Sequence, residues 1–350
     1  MTLKIDGFPQ LIDDDLVKTE NLANSSEYLQ TKKITDALQR RLEEKKNYTY
    51  IGDILLAVDP VVEDVSDLDI DDSEPHVHNM CRNILNKMIH FRQDQLLLTS
   101  GLRGSRKQNI YDSALLSLLH LGRRNQVCDK IIAADRILSA LLRERKSKLS
   151  HSVRLTKVMY NRGGLVTGAK FHVNTTTSLA DFVHHWTNLP IFDWILYGLR
   201  QQGRVREFGL LHLVEEEFQE EQESKQNIDG FKELVKNLTL LGFRADIGIN
   251  LIYRIVVTII LLMKLRRILE RDPQDPAQDS LLASISNNLE VDLDKLKASL
   301  VTGSLQLGCA ESFTAEKNKA VSVTESLARL LYVTLIDWIE NFINAQLELR

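Results

Sequence analysis

The residues with the clearest chemical promise lie in the stretch Thr99-Ser-Gly-Leu-Arg-Gly-Ser-Arg-Lys-Gln108. A phosphate-binding loop follows the pattern G-x-x-x-x-G-K-[ST]. Its glycines let backbone N–H groups reach phosphate oxygens, its lysine reaches the terminal phosphates, and its last hydroxyl ligates Mg²⁺. Gly101, Gly104 and Lys107 stand where such a loop wants them, with Ser105 among them. The final glycine has become Arg106 and the hydroxyl residue has become Gln108. Two readings of Arg106 and Lys107 stay open: two exposed bases in a loop, or a remaining anion site to which Arg106 adds a charge. The flanks give context. Asp94 to Ser100 is an apolar run of strand length, and Ile110, Ala114, Leu115, Leu118 and Leu119 fall on one face of a following helix. Strand, loop and helix is the order that such a motif requires.

Wording on both sides of the loop resembles the myosin motor head. Asn47-Tyr-Thr-Tyr-Ile-Gly-Asp-Ile-Leu-Leu-Ala-Val-Asp-Pro60 is similar to the family's Y-T-Y-x-G-x-x-L-x-x-V-N-P, with a class III flavour in Tyr50 to Leu56. Glu74-Pro-His-Val77, Gln95 to Gly101, Asp135-Arg-Ile-Leu-Ser-Ala140, Asn188-Leu-Pro-Ile-Phe192 with Tyr197-Gly-Leu199, Leu241-Gly-Phe243 and Ala328 to Leu347 resemble further family segments in the family's order. The resemblance covers about residues 10–350, least well at 171–187 and 200–230.

The resemblance implies an α/β, P-loop NTPase-like fold. It would be a partial head, with an incomplete central β-sheet, surrounding helices and a mainly helical upper lobe. The expected division is an N-terminal helical lead over 1–45, a degenerate nucleotide-binding core over 46–170, and a helical upper-lobe-like region over 171–350. Ser150-His-Ser-Val-Arg-Leu-Thr-Lys157 falls where the family has its switch I, N-x-N-S-S-R-F-G-K. Ser152, Arg154 and Lys157 survive there, and Val153 replaces the serine that ligates Mg²⁺ in the family. The nucleotide-binding set implied is Gly101, Gly104, Ser105, Arg106, Lys107, Gln108, Ser152 and Arg154, with no catalytic residue and no metal ligand. With two oxygen ligands replaced, octahedral Mg²⁺ is poorly served and phosphate charge goes unneutralised. No cofactor is expected with certainty; ATP without Mg²⁺ is the alternative.

Switch II is expected to follow Arg350, so the sequence stops short of it and of the lower lobe, converter and lever. The expectation is therefore a non-catalytic, head-derived binding or scaffold protein with weak or absent actin contact. A protein partner or self-association would cover the incomplete sheet. The rival expectation is a protein of the actin cytoskeleton that retains weak ATP binding.

Composition narrows the remaining classes. The 350 residues are 43% hydrophobic and carry a net charge of −4, ample for a sizeable core and ordinary for a soluble protein; the expected location is cytoplasmic, with cytoskeletal association as the family resemblance implies. Asp and Glu outnumber Lys and Arg, 48 to 44, which disfavours nucleic acid. Cys81, Cys128 and Cys309 are widely spaced, as a reducing compartment permits. No signal-peptide pattern opens the chain. Val61 to Glu74, with seven carboxylates, reads as an acidic loop unfavourable to polyphosphate. Ser26 to Lys45 reads as a charged amphipathic helix, and Val158 to Val173 as a hairpin turning at Asn161-Arg-Gly-Gly164. Ile247 to Met263 reads as a buried helix, its uninterrupted apolar part shorter than a membrane crossing needs. His76-Val-His78, read on a strand, and the pair His184-His185 lack a metal-ligand set around them.

Overall fold

The computed structural model describes residues 20–24, 31–60, 74–102, 105–143, 152–175, 182, 186–210, 221–272, 275–302 and 313–348. The chain divides into two compact units. One comprises Met1–Cys128 with Tyr160–Thr167, the other Asp129–Met159 with Gly168–Arg350.

In the first unit, helix α1 (Thr31–Glu43) buries Ala37 against Leu22, with Ile34 and Ile51 alongside. Arg41 on the same helix is buried and donates to Thr49 Oγ1 at 2.9 Å and to the Tyr48 carbonyl at 3.1 Å. It thereby fastens α1 to the hairpin β1 (Tyr48–Ile51) and β2 (Ile54–Ala57), which pair antiparallel. Gly52 turns that hairpin at φ 60°, a conformation that costs glycine little. Helix α2 (Val77–Phe91) starts after Glu74-Pro75-His76 and packs against α3 (Lys107–Leu121). Tyr48, Val77, Cys81 and Ala114 form the core between them, with Leu55, Leu97, Ile110 and Leu118 packed around it. His76 and His78 therefore sit at a helix start, not on the strand expected for them.

The expected central sheet is not found among the described residues. Their sheets are two separate two-stranded hairpins, β1–β2 and β3 (Ser152–Tyr160) with β4 (Val166–Thr175). The run Asp94 to Ser100 has the burial rhythm of a strand: Leu97 and Thr99 are half-buried, Leu96 and Leu98 are 75% and 78% exposed. It is nevertheless in no ladder. A strand exists only as part of a pair, and no described residue provides the second member.

The β3–β4 turn falls where the Asn-Arg-Gly-Gly sequence places it. Asn161 Oδ1 accepts from the N–H groups of Gly163 and Leu165, and Gly164 takes φ 81°. Helix α4 (Gln126–Leu142) carries the Asp135 to Ala140 segment.

The second unit is helical around α7 (Asn250–Arg271), preceded by a π turn at Ala245–Ile249. Residues Val256 to Met263 of α7 are buried without a break, so that stretch is covered on every side. Its neighbours are α5 (Pro190–Gln201), α8 (Ala277–Leu289) and above all the long α10 (Phe313–Leu347), while α9 (Leu293–Thr302) packs on α8 and α10. Together with its π turn, the 27 residues Ala245–Arg271 are long and apolar enough to cross a bilayer, which removes the length argument against a span. What marks α7 as a core helix is that 67% of its most apolar window is buried inside the protein.

Helices α5 and α6 (Glu221–Leu240) fit through reciprocal notches. A Cβ at Gly198 would overlap the Phe231 ring, and one at Gly230 would overlap Trp194. Helix α10 covers the edge of β4. Asn344 Oδ1 accepts from Phe171 N–H, and its Nδ2 donates to the Phe171 carbonyl, both at 2.8 Å. One turn earlier Glu340 accepts from Val173 N–H at 3.1 Å, and one turn later Glu348 meets Lys170 at 3.3 Å. Side chains spaced four apart on a helix thus supply what a third strand would.

Candidate functional site

The loop residues precede and open α3 in the first unit. Arg103 and Gly104 lie outside the described residues, as do 61–73 of the acidic loop. Gly101 and Ser105 are exposed and close together, since a Cβ on Gly101 would collide with the Ser105 side chain. Arg106 takes the N-cap position of α3 in a left-handed conformation, φ 55°, with no side-chain cap bond. A non-glycine residue pays strain there that the glycine of a phosphate loop would not.

The Arg106 guanidinium turns to Asp59 and pairs with its carboxylate at 2.7 Å; the two side chains are 53% and 57% exposed. Asp59 is itself left-handed, φ 50°, and is held by Asn47, whose Nδ2 donates to the carbonyls of Val58 and Asp59. Asn109 Nδ2 donates to the Pro60 carbonyl at 2.9 Å, a second tie between the start of α3 and the exit of β2. Both members of the 2.7 Å pair depart from the resemblance, Asp59 from the asparagine of V-N-P and Arg106 from the last loop glycine.

Lys107 is the first residue of α3 and is exposed. Helix N–H groups and dipole make that end attractive to anions, and a lysine reinforces it. Gln108 is half-buried and donates through Nε2 to Asp112 Oδ1 at 2.9 Å, one turn along its own helix. Where a hydroxyl would face Mg²⁺, the chain has an amide committed sideways.

The switch I-like residues lie on a strand. Ser152 opens β3, and Val153 and Leu155 occupy its exposed side. Arg154 is on the covered side, where Nη2 pairs with Asp135 Oδ1 at 3.1 Å and Nη1 donates to Ser139 Oγ at 3.1 Å and the Asp135 carbonyl at 3.3 Å. These side chains are only 10% and 13% exposed. The guanidinium expected near a phosphate is thus held by α4. Ser152 to Lys157 belong to the second unit, whereas Gly101 to Gln108 belong to the first.

Sequence reasoning missed Asp59 and Asp135 as partners, because each comes from an element distant in sequence. The charge gained in going from V-N-P to Val58-Asp59-Pro60 was the one available signal for the first. Among the described residues no group of three His, Cys, Asp or Glu side chains is arranged to hold a metal ion.

The loop that opens α3, the Tyr48-to-Pro60 hairpin before it and the long packed helices after it are the frame in which the family match falls. The sequence profile of the myosin head (motor domain) family matches residues 19–350, and the chain belongs to that family. It is similar to unconventional myosin-XV of Homo sapiens, 24% identical over 91% of this chain and 10% of that protein. It is also similar to unconventional myosin-IXAa of Danio rerio, 25% identical over 97% and 15%, and to myosin-IIIb of Mus musculus, 24% identical over 96% and 28%. The chain therefore spans between a tenth and little more than a quarter of these relatives' lengths. Their near-equal identities do not single out class III.

Proposed function

We propose that this chain is a non-catalytic myosin-head-like protein that acts by binding and not by ATP-driven movement. The observation that carries the reading is the state of the α3 start: Arg106 is tied to Asp59, and Gln108, in the Mg²⁺-ligand position, to Asp112. Val153, the second replaced ligand, offers no oxygen and lies on an exposed strand face. Divalent-metal neutralisation of a β/γ-phosphate has no side-chain hydroxyl to rely on at either position.

Steady-state ATPase, with or without actin, is expected to equal a buffer blank. Actin-stimulated turnover that Lys107→Ala abolishes would overturn the proposal. Arg106→Gly with Gln108→Thr is expected to leave turnover absent, because Val153 still supplies no ligand. Equilibrium dialysis of that variant reports whether ATP binding is regained. The exposed Lys107 at the α3 N-terminus supports a second reading, ATP binding without turnover. A thermal shift with ATP tests it, and a large shift that requires Mg²⁺ would turn the assignment toward an active nucleotide site.

Binding is proposed to involve Leu96 and Leu98, exposed on a strand-like run that pairs with no described strand. Unpaired main chain beside apolar side chains is a template for an added strand. A protein partner or self-association would cover it, in a cytoplasmic setting beside the actin cytoskeleton, with actin itself bound weakly or not at all. Sedimentation velocity decides the self-association arm, a concentration-independent monomer removing it. Saturable co-sedimentation with actin filaments at micromolar concentration would remove the expectation of weak actin contact.

A further inference from the structure

Three histidines meet where α2 begins. His76 is its N-cap, and its Nδ1 accepts the N–H of His78 at 3.1 Å. His78, the second helical residue, is buried, and its Nδ1 has no hydrogen-bond partner among the described residues. His120, in the last turn of α3, brings its ring to 6.1 Å from that of His78. The Tyr48 ring of β1 stands edge-on to His76 at 4.8 Å. We infer that this cluster is a proton-sensitive clasp on the α2–α3 pair, closed while His76 and His78 are neutral and released when they are protonated.

The cap is the first half of the device. Imidazole accepts through Nδ1 only when that nitrogen is unprotonated. A proton on it removes the bond to His78 N–H and sets a cation on the positive end of the helix dipole, two penalties of the same sign.

The second half is His78. Burial first, then the charges of His120 across the helix pair and of His76 across the cap, push its pKa below the ordinary imidazole value. The other groups at this place do not offset that effect. Cys81 on α2 is a thiol pushed up to about 12 by burial. Tyr50 from β1 is a phenol pushed up by burial, and Tyr48 adds a second phenol. Arg82 is on α2, and Glu74, before the cap, is exposed. The sign follows. A histidine whose folded pKa lies below its unfolded value of about 6.5 contributes stability that is complete above that value. The contribution is lost as pH falls through 6.5 toward the folded pKa.

Hydrogen exchange of the full chain at pH 7.5 and pH 5.5, expressed as protection factors, tests the clasp. Amides of the first α2 turn are expected to lose at least about five-fold protection at the lower pH, the weight of one N-cap bond of about 1 kcal/mol. Amides of α5, in the other unit, serve as reference. His76→Asn keeps a side-chain cap without an imidazole, and His120→Gln removes the imidazole that faces His78 from an exposed position; each is expected to shrink the loss. An unchanged parent, or a loss that neither variant reduces, overturns the inference. The outcome is independent of whether nucleotide binds.

Discussion

Asn344→Ala is the substitution whose cost the structure sets most directly. The Asn344 amide closes both main-chain groups of Phe171, at 2.8 Å each, and the Phe171 side chain is fully buried. Truncation leaves one N–H and one C=O unpaired on a covered strand edge. Each orphaned group costs about 1–3 kcal/mol, so the expected loss is about 2–6 kcal/mol. Against a typical stability of about 5–15 kcal/mol that is a large fraction. Asn344→Leu refills volume and leaves both groups orphaned, so it is expected to fall in the same range. Asn344→Asp keeps an acceptor for Phe171 N–H but turns an oxygen toward the Phe171 carbonyl, and should also destabilise. Glu340→Ala removes one bond, to Val173 N–H, and should cost less than Asn344→Ala. Urea unfolding of the four variants, analysed by midpoint and slope, measures these differences. The surrogate-strand reasoning fails if Asn344→Ala stays within about 0.5 kcal/mol of the parent, the range of an ordinary surface change.

Arg154→Met should destabilise, by up to about 3–5 kcal/mol, by removing the cation paired with the largely covered Asp135 carboxylate. Adding Asp135→Leu should recover most of that loss, and urea midpoints of the single and double variants check it. Gly198→Ala and Gly230→Ala each drive a methyl into an aromatic ring. Either should cost about 1–3 kcal/mol and lower the melting temperature, read by circular dichroism. Asp59→Asn breaks an exposed pair and should change stability by no more than about 1 kcal/mol. An ATP or phosphate titration of that variant, monitored by thermal shift, should show anion stabilisation at least equal to the parent's, since Asp59 no longer competes for Arg106.

Local signals were read well where the chain's own pattern decides the outcome. Ile110, Ala114, Leu115 and Leu119 placed α3, and Asn161 to Gly164 turned a hairpin, because helical spacing and turn chemistry act within a few residues. Asp94 to Ser100 shows the limit. Its alternation is that of a strand, but pairing depends on a second segment that the run itself does not encode. Ser152 to Lys157 misleads in the opposite way. Val153 and Leu155 face outward while Arg154 faces inward, so apolar alternation alone assigns the faces wrongly. Burial of Arg154 is offset by Asp135 and Ser139, which lie on another element. The loop signal at Gly101 to Gln108 was legible as a motif. Its ties to Asp59 and Asp112 were not, since a side chain's partner follows from the folded backbone and not from its own spacing.

The unbroken burial of Val256 to Met263 on α7 has a consequence during synthesis. A chain emerging from the ribosome presents Asn250 to Arg271 well before α10, whose first helical residue is Phe313, has been made. Until then a helix with the length and composition of a membrane segment lacks its principal cover. Nascent-chain factors that recognise long apolar stretches would meet it in that interval. Native yield is then expected to fall when translation between α7 and α10 is slowed, a kinetic hurdle that the finished fold no longer displays.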